Sequence, residues 1–313
     1  MSSNRSGTVY NFEIDEKGDH FSIPDQETSG AVYRRVRIKN RDGSAEKICS
    51  AGVHFLGRDI QIVHTDKTGS TMTDARVFGA LPEEHPWHLP TGSIVSAAFQ
   101  NQGRGRTQGR SWSTAEGENL LCTAVLHTKD LPPRSVNAFT LKIGLAAAET
   151  FDHFLPGGVK TEIKWPNDVM FNGKKLCGIL CESDGRTIYA GTGFNISQTE
   201  FPAPLSEKAT SLSLILNNHT GGSFPPPDII PRPFEFLAVY LEQLQNVLSR
   251  EEWREEVESR LFRKEEDTVF IQGQPEKGTP LRGVIEGIGP SGELFFRHET
   301  GDLLTLVSGE FTL

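Results

Sequence analysis

The sequence predicts an α+β fold: a mixed β-sheet flanked by helices, followed by a small β-barrel. Three observations carry that prediction. Apolar runs of strand length, at 94–99, 120–126 and 188–196, alternate with stretches of helical period. The dipeptide Asn172-Gly173 stands between two apolar runs, 169–171 and 176–181, and signals a type I′ hairpin that makes those strands antiparallel. From residue 268 onward only short apolar segments and glycine-rich turns remain, the spacing of a small all-β unit.

Residues 1–57 read as a β-rich extension. Tyr10, Phe12 and Ile14 alternate with polar residues, as do Val32, Val36 and Ile38, and turn clusters follow at 15–19 and 40–44. Arg34, Arg35, Arg37 and Lys39 form a basic stripe that fits the solvated face of a strand. Residues 58–267 read as the main domain. Ile60, Ile62 and Val63 suggest a strand ending at 64–65, and Ser70 or Thr71 can cap a helix over 72–78. Pro82, Pro86 and Pro90 mark a loop, and strands are expected at 94–99 and 119–127. Val136, Phe139, Ile143, Ala147, Phe151 and Phe154 recur at three and four, so 136–155 is the clearest helix. A strand over 161–165 is stopped by Pro166; Pro225-Pro226-Pro227 reads as a linker; 234–248 and 252–262 read as amphipathic helices. Residues 268–313 form the barrel. Gly287-Ile288-Gly289-Pro290-Ser291-Gly292 matches G-x-G-x-x-G, but a dinucleotide fingerprint opens a helix and here a strand follows, so this is a hairpin turn.

The chain carries 32 Lys and Arg against 41 Asp and Glu, a net charge of -9, which argues against nonspecific nucleic-acid binding. No run approaches the ~20 apolar residues of a membrane span, and the first residues lack the apolar core of a secretory signal. Four cysteines (Cys49, Cys122, Cys177, Cys181) in 313 residues suit a reducing compartment, and a cytoplasmic location is expected. Cys177 and Cys181 have no second Cys or His pair near them, so they read as core residues and no metal site is expected.

The chemistry concentrates in four stretches. Gly103-Arg104-Gly105-Arg106-Thr107-Gln108-Gly109-Arg110-Ser111-Trp112 combines backbone freedom with guanidinium forks suited to an anion, and reads as a mobile cationic loop after a strand. Lys164-Trp165-Pro166-Asn167-Asp168 puts a lysine at a strand end beside a rigid proline; it is either a fixed charge for a ligand or a surface lysine. Gly178 in strand 174–182 and Gly191 with Gly193 in strand 188–196 weaken their strands, which either a close-packed ligand or a bulge explains. P-loop, G-x-S-x-G, H-E-x-x-H and EF-hand patterns do not occur.

In this order, with Ser70-Thr71 ahead of them and Gly178-Ile179-Leu180 with Glu182 after, these motifs resemble the biotin–protein ligases over roughly residues 60–313. The resemblance implies the biotin/lipoate ligase-like mixed sheet with an SH3-like C-terminal barrel. It implies ATP-dependent formation of biotinyl-AMP, then transfer to a lysine of a biotin carboxyl carrier domain of a biotin-dependent carboxylase, with Mg²⁺ bridging phosphate oxygens. It makes Arg104, Arg106 and Lys164 the catalytic cations. Ser70, Thr71, Gln102, Gly103, Arg104, Arg106, Lys164, Gly178, Ile179, Gly191 and Gly193 are the implied biotin contacts. Arg106, Arg110, Trp112, Lys164, Asn167 and Asn195 are the implied ATP contacts. A homodimer is compatible with it. Lipoate ligation by the same adenylation chemistry is the alternative, as is a ligase that doubles as a repressor. The alternation within 1–57 and the acidic charge argue against sequence-specific DNA binding. Two departures stand out: Met72 follows Ser70-Thr71 where the family usually has Asn, and Thr107-Gln108 makes the loop one residue longer.

Overall fold

The computed structural model describes residues 10–14, 21–22, 31–40, 54–107, 109–112, 115–132, 138–219, 230–272 and 279–311. The turn cluster at 15–19, Cys49, Gln108, Val136 and the triple proline at 225–227 lie outside them.

The extension supplies β1 (Tyr10–Ile14), β2 (Phe21–Ser22) and β3 (Val32–Asn40), and a short hairpin follows as β4 (His54–Phe55) and β5 (Arg58–Asp59). Next come β6 (Ile62–Thr68), α1 (Thr71–Gly79), β7 (Ser93–Gln100), β8 (Leu120–His127), α2 (Phe139–Phe154), β9 (Glu162–Lys164), β10 (Asp168–Phe171), β11 (Lys174–Ser183) and β12 (Thr187–Phe194). Three helices, α3 (Leu212–His219), α4 (Pro233–Ser249) and α5 (Trp253–Ser259), precede β13 (Asp267–Gln272), β14 (Thr279–Ile288), β15 (Leu294–His298), β16 (Leu303–Leu306) and β17 (Gly309–Phe311).

One sheet runs β1-β3-β6-β7-β8-β12-β11-β10-β9, with β2 on β3. It is mixed, because β6 and β7 pair in parallel while the other neighbours are antiparallel. Period-two alternation divides its faces. Ile94, Cys122, Ala124, Ile188 and Ala190 point into a core built with α2 and α4; Val95, Val125 and Tyr189 point into a second core against α1. The hairpin at Asn172-Gly173 has φ of 47° and 76°, as a type I′ turn requires.

The C-terminal strands form a five-stranded antiparallel sheet in the order β16-β15-β14-β13-β17. Its outer strands are not paired with each other among the described residues, so a closed barrel is not what the ladder records. The glycine-rich stretch 287–292 is the β14–β15 turn, with Gly289 N–H bonded to Glu293 O at 2.7 Å and Gly292 at φ +88°.

Several boundaries differ from the sequence expectation. β6 runs three residues beyond 65, to Thr68, because it pairs with β7 up to Gln100. Ser70 holds the N-cap position of α1 without a side-chain capping bond. The last helix stops at Ser259 because the chain turns to flank β9: Ile163 N–H donates to Arg260 O (2.7 Å) and Phe262 N–H to Ile163 O (3.0 Å). Helix α3, the β4–β5 hairpin and β17 were not anticipated. The segment 212–216 reads as a plain apolar run, and the other two are too short for a periodic signal.

Candidate active site

Two cavities meet on the α1 face of the sheet. The smaller, about 70 Å³, is bordered by Ser70, Thr71, Met72 and Gln100 at the start of α1 and the end of β7, and by Thr123, Gly178, Leu180, Gly191 and Gly193 on the sheet. The larger, about 700 Å³, lies between Lys164–Asp168, the segment 201–209 and β17. Gly105, Arg106, Trp112, Asn167 and Lys175 border both and so mark their junction.

The cationic stretch is a hairpin, not an irregular loop. Arg104 and Ser111 form a bridge, Gly105 N–H donates to Arg110 O (2.8 Å) and Trp112 N–H to Gly103 O (2.9 Å). Gly103 and Gly105 serve this pairing: a β-carbon at Gly103 would lie 2.9 Å from Trp112 O, and one at Gly105 3.1 Å from Arg110 Cβ. Gly103 does not border either cavity. The hairpin tip is tied to the C-terminal sheet, where Arg106 Nη2 donates to Gly309 O (2.7 Å) and Arg110 Nη1 to Glu310 Oε1 (2.8 Å). Arg104 borders the smaller cavity and lies 3.7 Å from Glu182, which also holds Arg76 at 2.7 Å.

Trp112 closes the hairpin and lies across the paired glycines Gly178 and Gly193. A β-carbon on Gly178 would stand 2.6 Å from the indole, and one on Gly193 2.5 Å. These glycines therefore admit an aromatic ring flat against the sheet. Lys175 Nζ is 5.3 Å from the Trp112 ring and 2.7 Å from Asp168 Oδ1, a cation–π contact on the order of 0.5–1 kcal/mol. Trp112 Nε1 is buried without a hydrogen-bond partner among the described residues. With the indole there, the smaller cavity falls below the roughly 300–1,000 Å³ of small-molecule sites, whereas the larger falls within it.

The polar wall of the smaller cavity comes from Thr71. Its N–H and hydroxyl both donate to Gln100 Oε1 (2.7 and 3.1 Å), and its hydroxyl lies 3.0 Å from Thr123 Oγ1. Gln102, the glutamine named from the sequence, is exposed and outside both cavities, because β7 ends at Gln100 and the chain turns away. Met72 lies over Gly191: a β-carbon there would come within 2.8 Å of the Met72 methyl. Ile179 borders the cavity, yet its Cδ1 reaches toward Gly144 of α2 on the opposite face.

Lys164 is 4% exposed and borders the larger cavity only. Burial holds its pKa below the ordinary lysine value, opposed by the carboxylates of Asp168 and Glu310 and assisted by Lys175 and Arg110. Trp165 anchors this corner, its Nε1 donating to Gly292 O at 2.9 Å. Asn167 is pinned to β11 by paired bonds with Ile179, at 2.8 and 2.9 Å. Asn195 borders the larger cavity but is buried, donating to Thr210 O at 3.0 Å. Among the described residues no group of three or more His, Cys, Asp or Glu could hold a metal.

Sequence reading missed Gln100, Thr123, Lys175 and Glu310. Lys175 is turned to the Gly178 side by a β-bulge: Val169 pairs with Cys177 and Met170 with Lys175, leaving Leu176 extra. Nothing in the residue string marks that bulge.

Residues 68–195 match the Biotin/lipoate A/B protein ligase family. The chain is similar to the bifunctional ligase/repressor BirA of Bacillus subtilis, 37% identical over 188 residues, 58% of this chain and 54% of that protein. It is also similar to the biotin--[acetyl-CoA-carboxylase] ligase of Mycobacterium tuberculosis, 32% identical over 147 residues, 47% of this chain and 52% of that protein. The chain thus spans about half the length of these relatives. Among solved structures, the biotin protein ligase of Aquifex aeolicus in complex with biotin and ATP superimposes with a TM-score of 0.62 at 25% identity, covering 80% of this chain and 97% of that one. The Leishmania major enzyme with biotinyl-5-AMP gives 0.54 at 25% identity, covering 79% and 98%.

Proposed function

We propose that this chain is an ATP-dependent biotin–protein ligase. The observation that carries the reading is the junction of the two cavities, where Arg106 and Lys175 stand together beside an aromatic ring on a glycine floor. In the proposed reaction the smaller cavity takes the ring end of biotin, and the larger takes ATP. The carboxylate oxygen of biotin attacks the α-phosphorus, pyrophosphate leaves, and biotinyl-AMP remains. A lysine amine of a carrier domain then attacks the acyl carbon, forming the amide and releasing AMP.

The residues act as follows in this reading. Two anions must approach, and fixed cations lower the cost of bringing them together. Arg106 and Lys175 flank the meeting point, and Lys164 faces the phosphates from the larger cavity. Arg104 borders the smaller cavity, where it is available to biotin, with Glu182 3.7 Å away as a competing partner. Thr71, with Gln100 and Thr123, offers the ring its polar wall, and Trp112 stacks on the bound ligand once it leaves the glycines. Asp168 and Glu310, the carboxylates that border the larger cavity, are the residues that would hold Mg²⁺ brought with ATP, and the ion would offset phosphate charge. We take residues 58–267 as the catalytic domain, 1–57 as an extension and 268–313 as an SH3-like module. The free thiols Cys122, Cys177 and Cys181 suit a reducing, cytoplasmic setting.

The test is direct. The protein, ATP, Mg²⁺, biotin and a biotin carboxyl carrier domain are incubated, and the carrier is weighed by mass spectrometry. A mass increase of one biotin on one lysine is expected. AMP formation with lipoate and none with biotin would sink the reading.

A further inference from the structure

Tyr33 lies on β3, outside the stretch that matches the ligase family, and is fully buried at 0% exposure. Its hydroxyl donates to Asp74 Oδ2, and Thr68 Oγ1 donates to the same oxygen. Asp74 is also 0% exposed, and its Oδ1 has no partner among the described residues. One carboxylate on α1 therefore holds the extension and the end of β6 together.

The surrounding contacts point the same way. Ala31 and Tyr33 share a hydrophobic core with Met72, Ala75 and Phe78 of α1, and the Tyr33 ring meets Phe78 edge-on at 5.3 Å. Arg35 lies 4.7 Å over the Trp87 ring and donates to Pro86 O at 2.6 Å, in the segment after α1. The ladder between β3 and β6 comprises only Arg34–His64 and Arg35–Val63, so side chains supply much of the attachment. Helix α1 has nine residues, too few to hold its own position without packing. Its first turn carries Thr71 and Met72, two walls of the smaller cavity.

We infer that β3 is part of the ligand-binding apparatus, with Tyr33 acting through Asp74 as a positioning residue for Thr71 and Met72. This rests on the ligase reading for the identity of the ligand, biotin, but not for the mechanical link.

The test uses full-length Tyr33→Phe, which keeps the ring and removes only the hydroxyl, and Asp74→Asn, which keeps the shape. Biotin and ATP saturation kinetics are measured together with hydrogen exchange at the amides of 71–79. The expected result is a KM for biotin raised roughly three- to tenfold, the scale of one lost hydrogen bond. The KM for ATP and kcat stay near wild type, and exchange accelerates at 71–79 more than elsewhere. Unchanged exchange and unchanged biotin KM in Tyr33→Phe would overturn the inference. So would accelerated exchange with unchanged biotin KM, or a rise in both KM values with a matching fall in melting temperature. Wild-type protein that binds no biotin would fail the ligase reading instead, and the exchange data alone would then decide whether β3 holds α1.

Discussion

The Arg106 guanidinium donates a 2.7 Å hydrogen bond to the carbonyl of Gly309, 203 residues further along the chain. Two parts of the molecule that sequence separates are thus joined at the tip of the cationic hairpin. Within the proposed reaction, Arg106 both faces the phosphate and fastens the hairpin over it. Arg106→Gly removes both contacts, and the expected outcome is escape of biotinyl-AMP that labels lysines of bystander proteins. Mass spectrometry of an added inert protein measures this, and labelling confined to the carrier would contradict it.

The companion contact, Arg110 to Glu310, involves an arginine side chain that is 54% exposed. A pair this open is worth at most about 1 kcal/mol. Glu310→Ala should therefore leave the melting temperature nearly unchanged while speeding amide exchange across 103–112. A large fall in melting temperature would show that Glu310 has a different role.

Gly193 and Trp112 form a steric pair. A β-carbon at Gly193 would overlap the indole at 2.5–2.8 Å, so Gly193→Ala must displace Trp112. Biotin-dependent pyrophosphate release should fall by about tenfold or more, on the order of 1.4 kcal/mol at the barrier. In the Trp112→Ala background the same substitution should cost much less. Additive losses in the double variant would rule out the steric pairing.

Burial holds the Lys164 pKa below the ordinary lysine value, and the Glu310 carboxylate pushes it back up. The proposed role needs the protonated form. Activity should therefore decline as pH rises through this lowered pKa, at a pH below that of an unperturbed lysine. Glu310→Gln removes a raising influence, so the alkaline limb should move to lower pH. A pH profile of pyrophosphate release checks the sign, and a shift to higher pH would exclude Lys164 as its source.

Met72 is 3% exposed, with its methyl set over Gly191. Met72→Ala should destabilise the protein by about 2–5 kcal/mol through the cavity it leaves, read by chemical denaturation. The vacated space adjoins the smaller cavity, so tolerance for bulkier biotin analogues should rise at the same time. A stability loss without broader ligand acceptance would separate Met72 from the ligand.

Much of the sheet was legible because its strands are apolar enough for period to betray them. The run 120–126 is buried throughout as part of β8, and the helical repeat from Phe139 to Phe154 is α2. Of the motif residues, Arg106 borders both cavities, Arg104, Gly178 and Gly193 the smaller, and Lys164 the larger. What escaped depends on register and distance. Gln100 replaced Gln102 because strand β7 ends one residue past the expected 99, and Lys175 entered through a bulge that composition does not encode. Glu310 lies 200 residues from its partner Arg110, beyond the reach of any local pattern. The basic stripe read as a solvated face proved partly engaged, since Arg34 pairs with Asp66 at 2.6 Å and Arg35 stacks on Trp87.

The indole of Trp165 donates to the carbonyl of Gly292, in the very turn whose glycines imitate a dinucleotide motif. This bond, with those from Arg106 and Arg110, bears on how the gene can be dissected. A fragment cut at 267 would retain every arginine and glycine of the motifs, yet it would lose three acceptors that hold them in place. Shortened versions of the protein should therefore keep the 46 residues after 267 and seek economy elsewhere.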